Sequence, residues 1–319
     1  MRIDPHVHCR DWEQKYKATV RGTIKLALSQ GIDMIFDMPN TYPLILMKED
    51  VQRRLMLIPF GHERNYRLYV GLTADREQIE EALKCYKEFD EVIGFKLYAG
   101  RSVGPLAVIE EREQKEIYRI LAGSEYQGVI AVHCEKERYL NPGIWDPLNP
   151  ISHSWARPKE AEIASIKDQI RFAKAVNFKG ALHIAHITCP ESVEEVDRAR
   201  KEIRITCGVT PHHLMWDDRI LNTTFHKMNP PLRSEEDVIG LRKKLQEGKI
   251  DWIETDQAPH HVIEKLFPPY MSGFPSLHLY RYTVEQFLPI NLGLSEEHIE
   301  RLTFSNIYNT FKNKLKAYC

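Results

Sequence analysis

MRIDPHVHCRD, residues 1–11, opens the chain. It sets His6, His8 and Arg10 at alternate positions of a stretch that otherwise reads as a short β-strand, MRIDPHV. A strand has period two, so the three side chains share one side. If that side is the interior of a fold, two imidazoles and a guanidinium converge on one buried point. Unpartnered, each would cost roughly several kcal/mol. The stretch therefore predicts a strand whose end is a binding site.

Working outward, apolar runs of similar character recur. They are DMIFDM (33–38), YRLYVGL (66–72), EVIGFKLY (91–98), GVIAVH (128–133), GALHIAH (180–186), EIRITCGV (202–209) and DWIETD (251–256). With the first run they make eight candidate strands. Segments of helical periodicity separate most of them: Val20–Ser29, Arg76–Phe89, Lys159–Val176, and Glu235–Leu245 with Ser234 at its cap. Strand–helix alternation implies a parallel sheet. Eight such units imply an α/β fold, a single closed (β/α)₈ TIM barrel over residues 1–319, with no N-terminal β-sandwich domain ahead of Met1. An open doubly wound sheet is the runner-up. It is disfavoured because no GxGxxG or GxxxxGK[ST] follows the first strand.

In such barrels, catalytic side chains sit at the C-terminal ends of the strands. Those ends carry His6 and His8, Lys96, His133, His186 and Asp256. Imidazoles and a carboxylate are ligands for a borderline ion such as Zn²⁺. The set exceeds one tetrahedral site, so it suits two metals, roughly 3.5–4 Å apart as in two-metal hydrolases. Lys96 cannot ligate as an ammonium. It forms a plain ion pair with Asp256, or its amine takes up CO₂ to give a carbamate able to bridge two cations. Spacing is compatible with both.

The bulk numbers exclude other classes. Net charge is −1, with no basic or acidic block, which disfavours nucleic acid and membrane surfaces as partners. No apolar run is long enough to span a bilayer. Nothing at the N-terminus reads as a signal peptide. The six cysteines, Cys9, Cys85, Cys134, Cys189, Cys207 and Cys319, form no CxxC pair, which fits reduced thiols in the cytoplasm.

Simpler readings suffice elsewhere. His183, three residues before His186, falls on the other face of a strand and reads as structural. So do His212 and His213, in a turn after the seventh strand. Cys9 and Cys134 point away from the ligand positions, into packing. Asn40 beside Pro39 caps a turn or meets substrate.

DPHVHCRD (4–11), DMPNTYP (37–43), GFKLYAG (94–100), VTPHHL (209–214), MNPPLR (228–233) and ETDQAPHH (254–261) occur in this order. Together they make the chain resemble the dihydroorotases of the amidohydrolase superfamily over nearly its whole length. The resemblance implies reversible cyclisation of N-carbamoyl-L-aspartate to L-dihydroorotate in pyrimidine synthesis. It implies two zinc ions, one held by His6, His8 and Asp256 and the other by His133 and His186, with carboxylated Lys96 and a hydroxide bridging them. Asp256 is then also the general base. Arg10, Asn40 and His260 are implied substrate contacts, Ser102 and Val103 a closing loop, and Phe274 and Pro275 the far wall. A homodimer and association with aspartate transcarbamoylase are the partners such a chain would have. The alternatives are a hydantoinase (dihydropyrimidinase) or allantoinase, and a non-catalytic partner of aspartate transcarbamoylase. Arg10 discriminates among the enzymes, because only dihydroorotate demands a carboxylate partner.

Overall fold

A computed structural model describes residues 1–316; Cys319 lies outside the described residues. Eight strands run in chain order around one sheet: β1 (Ile3–Val7), β2 (Met34–Asp37), β3 (Tyr66–Gly71), β4 (Val92–Tyr98), β5 (Val129–His133), β6 (Ala181–Ile184), β7 (Ile205–Val209) and β8 (Trp252–Ile253). Each pairs in parallel with the next. The ring closes where the His8 N–H donates to the Gln257 carbonyl at 2.8 Å, beside a parallel bridge from Val7 to Gln257. The expected (β/α)₈ barrel is therefore the observed one.

The strands are apolar because both their faces are covered, one by the barrel interior and one by helices. Every residue of β1 through β6 and of β8 is buried. The helices follow their sequence signals closely. Val20–Ser29 starts where the Thr19 hydroxyl accepts from the Gly22 N–H, and Glu235–Gln246 starts where the Ser234 hydroxyl accepts from the Asp237 N–H. Arg76–Glu88 and Lys159–Ala175 each end one residue short of the expected boundary.

The last strand differs most from its expected span of 251–256. β8 has only two residues, because beyond Ile253 the chain leaves the ladder for side-chain partners: the Thr255 N–H donates to Asp4 Oδ1 at 3.0 Å. Asp256 follows with φ +48°, a left-handed turn. No helix among the described residues is long and apolar enough to cross a membrane.

The barrel interior has two unlike halves. Around the strand starts, Ile3, Met34, Ile93, Val129, Ala181 and Trp252 form an apolar layer packed against Ile307, Phe311 and Leu315 of the helix Asn306–Leu315. The Phe311 ring plugs this end, 5.1 Å from Phe36 and 6.1 Å from Trp252 between ring centres. Toward the strand ends the interior turns polar, and the transition is made by Glu254. Its fully buried carboxylate accepts from His183 Nε2 at 3.0 Å, Trp252 Nε1 at 3.1 Å and the His186 N–H. Room for it comes from Gly208 on β7, where a Cβ would lie 2.6–2.9 Å from the carboxylate. Gly208→Ala should therefore lower stability by about 1–3 kcal/mol, the usual cost of overpacking. A thermal melt of the variant checks this, and an unchanged transition would contradict the close approach.

Candidate metal centre and anion pocket

His6 is the penultimate residue of β1, and His8 lies one residue beyond the strand's end at Val7. Their alternation brings both rings to one point, 5.4 Å apart between centres. His8 Nε2 lies 3.0 Å and His6 Nε2 3.3 Å from the same oxygen, Asp256 Oδ1. Arg10 reaches this point differently from the sequence expectation. The pleat stops at Val7, and Arg10, Asp11 and Trp12 have φ +59°, +69° and +48°. This left-handed run turns Arg10 into the pocket and is held by a second buried network. Arg54 Nη1 donates to the Arg10 carbonyl at 2.7 Å, while Arg54 Nε donates to Asp37 Oδ2 at 2.9 Å. The Asp37 carboxylate also accepts from the Cys9 N–H at 2.9 Å.

A second pair faces the first. His133 ends β5, and its Nδ1 lies 3.0 Å from His186 Nε2. His186 lies past the end of β6, with φ +41°. The strand parity that separated 183 from 186 therefore does not apply, and both residues contact Glu254. The bland reading of His183 holds: its ring is taken up by Glu254 and Thr206. Cys9 and Cys134 lie in the layer between strands and helices. His213 is bonded to Thr210 and to the Pro230 carbonyl, whereas neither ring nitrogen of buried His212 has a hydrogen-bond partner.

The donor set fits cations. His8 Nδ1 is 2.6 Å from Asn40 Oδ1, an acceptor, so that nitrogen carries the proton. The lone pair of Nε2 in neutral His8 then faces a carboxylate oxygen, which is repulsive unless a positive charge joins them. His133 repeats the pattern. Its Nε2 donates to Glu135 Oε2 at 2.8 Å, which leaves Nδ1 as a bare lone pair facing His186. Burial, together with the charge of Lys96, holds these imidazoles neutral; His6 is pushed down to about 4. His6, His8 and Asp256 offer ligand atoms that all lie within 4.8 Å of one another. Lys96, on β4, is fully buried with no hydrogen-bond partner for Nζ, and burial lowers its pKa to about 8. An unpartnered ammonium among imidazoles is a poor resting arrangement.

Arg10 is buried among few partners. Nε donates to the Pro259 carbonyl at 3.2 Å, Nη2 lies 3.2 Å from His260 Nε2, and Nη1 has no partner. Burial and the charges of Arg10 and Lys17 keep His260 neutral. The pocket here is lined by the candidate ligands, Arg10, Asn40, Ser102 and Val103. Asn40 is engaged twice, since its Nδ2 also donates to the Val103 carbonyl at 3.2 Å. Phe274 and Pro275 do not line it. Phe274 packs instead with Trp216 and Phe225, in a satellite cluster. The far wall is made one and two residues earlier, by Gly273 and Ser272, because buried Lys265 donates to the carbonyls of Lys227, Met271 and Gly273 and draws that loop inward.

Sequence reasoning missed Glu135, Glu254, Tyr98 and Asn229. HCEKE (133–137) offered a signal for the first, a carboxylate two residues after a strand-end imidazole. Glu135 is fully buried and also accepts from Arg157 Nε at 3.0 Å. A carboxylate that fixes the tautomer and orientation of a ligand imidazole typically contributes 10- to 100-fold, roughly, to metal affinity. Glu135→Gln should weaken metal retention by about that factor, measured by competition with a chelator. Retention equal to wild type would remove Glu135 from the centre.

No protein-family model matches the chain. It is 31% identical over 270 residues to a dihydroorotase of Elusimicrobium minutum, a match covering 82% of this chain and 60% of that protein. It is 33% identical over 279 residues to one from Brevibacillus brevis, covering 82% and 61%. The chain thus spans about three-fifths of the length of the curated relatives it matches. Among solved structures, an L-hydantoinase (dihydropyrimidinase) from Arthrobacter aurescens superposes with a TM-score of 0.83 at 23% identity, covering 98% of this chain and 70% of the other. A D-hydantoinase from Thermus sp. gives 0.80 at 19%, covering 97% and 70%. The structural likeness establishes the barrel. The sequence likeness goes further: over about four-fifths of its own length the chain is similar to curated dihydroorotases.

Proposed function

We propose that the chain interconverts N-carbamoyl-L-aspartate and L-dihydroorotate. The observation that carries this reading is the buried guanidinium of Arg10, with Nη1 unpartnered, in the pocket that also holds His6, His8 and Asp256. A metal cluster alone would suit any cyclic amide. A buried guanidinium needs an anion, and the exocyclic carboxylate of dihydroorotate supplies one; unsubstituted hydantoin and dihydrouracil have none.

In this reading His6, His8 and Asp256 hold one zinc ion and His133 and His186 the other, with Lys96, carboxylated, serving both. Bound there, the metals supply Lewis-acid polarisation of the ring carbonyl and a water acidified toward neutrality. Uptake of CO₂ would turn the unpartnered Lys96 amine into an anion. Arg10 grips the exocyclic carboxylate and sets the ring in register. In the hydrolytic direction, Asp256 accepts a proton from the attacking water and returns it to the ring nitrogen as the C–N bond opens. Asn40 orients His8 and tethers the Ser102–Val103 loop over the substrate, and His260 steadies Arg10. The cytoplasm is the compartment this reading assigns. It is supported by the five described cysteines, all buried free thiols.

Lys96→Ala should lose one of the two metals and most activity, as read by elemental analysis beside an assay. Wild type at full activity with one metal per chain would overturn the role of Lys96.

Arg10→Met should keep its metal but cut kcat/KM for dihydroorotate about a hundredfold or more. This follows from roughly 3–5 kcal/mol for removing one partner of a buried charged pair, at about 1.4 kcal/mol per tenfold. Assays on dihydroorotate and dihydrouracil decide the matter. Good wild-type turnover of dihydrouracil would favour a hydantoinase instead.

A further inference from the structure

Outside the metal pocket lies a second cavity of about 450 Å³, against about 30 Å³ for the inner one. The two share Ser102, Val103, Asn229 and Ser272. The inner volume suits two or three waters, at about 10–15 Å³ each. The outer one falls in the range of small-ligand sites, which begin near about 300 Å³. The larger open volume in this structure is therefore the outer chamber.

Its walls carry cations in excess of anions. Arg157 and Arg101 each have a carboxylate, Glu135 and Glu137 respectively. Lys227 has no ion-pair carboxylate among the described residues. Its Nζ donates to the Tyr270 carbonyl at 2.8 Å and sits 3.8 Å from the centre of the Trp145 ring. Burial, and after it the positive charge of Arg157, lowers its pKa to about 8. His153 adds no charge, because burial and these two cations push it down to about 3. One wall thus carries an ammonium with no carboxylate partner, and a charge held partly out of water is favoured when a counter-charge joins it.

We infer that the outer chamber binds an oxyanion carried on a small molecule, a carboxylate or a phosphate, with Lys227 as its cation. On the dihydroorotase reading, on which this assignment rests, the occupant is the open-chain dicarboxylate, since it carries one more negative charge than the ring and the chamber adjoins the pocket that holds Arg10.

The test is calorimetric titration of the metal-loaded chain carrying Arg10→Met, which removes the inner carboxylate partner. The probes are N-carbamoyl-L-aspartate and, separately, inorganic phosphate. The expected result is saturable binding, weakened at least about tenfold by Lys227→Met and kept by Lys227→Arg. Lys227-dependent binding of the dicarboxylate alone identifies the substrate as occupant. Phosphate binding with the same dependence, in competition, identifies a free phosphate group. Absence of binding by either probe, or affinities within about twofold across the Lys227 variants, overturns the inference. Should Lys227→Met not fold, Lys227→Gln decides, and unchanged binding there overturns it equally. Turnover is a separate readout. Lys227-dependent binding in a chain that does not turn over dihydroorotate overturns the dihydroorotase reading and leaves the chamber standing. Turnover without such binding does the reverse.

Discussion

The architecture depends on how one carboxylate is buried. Glu254 has no solvent exposure and no Lys or Arg partner among its hydrogen bonds; it is satisfied by His183, the Trp252 indole and the His186 N–H. A carboxylate taken out of water persists only if its lone pairs are met by donors. Meeting them ties the end of β8 to β6, and His183 holds the carboxylate well below the ordinary glutamate range. Its other oxygen lies 3.7 Å from His6 Nδ1. The floor of the metal pocket is therefore a packed polar layer, set against the apolar plug around Phe311.

Above that floor, precision is obtained from strained backbone. Arg10, His186 and Asp256, three candidate site residues, all have positive φ. Such conformations cost of order 1–3 kcal/mol each and persist where surrounding contacts over-determine them. At Arg10 those contacts are the Arg54–Asp37 pair, fully buried on both sides, with the Tyr66 hydroxyl on the same carboxylate. At His186 the restraint is Glu254. The same buried networks that stabilise the barrel thus aim its reactive groups, so a site side chain can be displaced by a substitution that never touches the pocket.

Electrostatics then divides the mouth into two zones. The inner zone keeps its imidazoles neutral through burial and through Lys96, so lone pairs rather than N–H groups are offered to a cation. The outer zone is weighted toward positive charge by Lys227, since Arg157 and Arg101 are paired with Glu135 and Glu137. A cation-binding floor beneath an anion-attracting rim suits a substrate that is anionic at its periphery and must present a carbonyl to metals at its centre.

Much of this was legible in the sequence. Period-two and period-3.6 patterns are local, so eight strands, their helices and even the Ser234 cap could be read from neighbours in the chain. The candidate ligands were legible because barrel geometry sends strand ends to one face, whatever the intervening loops do. The structure alone decided which partner each polar group finds across the barrel. Nothing near Glu254 in sequence announces His183, 71 residues away. Nothing near Glu135 announces Arg157, and the inward pull of Lys265 on the loop carrying Ser272 and Gly273 could not be read from GFPSLH. Those pairings are set by strand register, by left-handed turns after the pleat has stopped, and by the need to satisfy every buried charge. All three are properties of distant segments brought together, and a linear pattern does not record them.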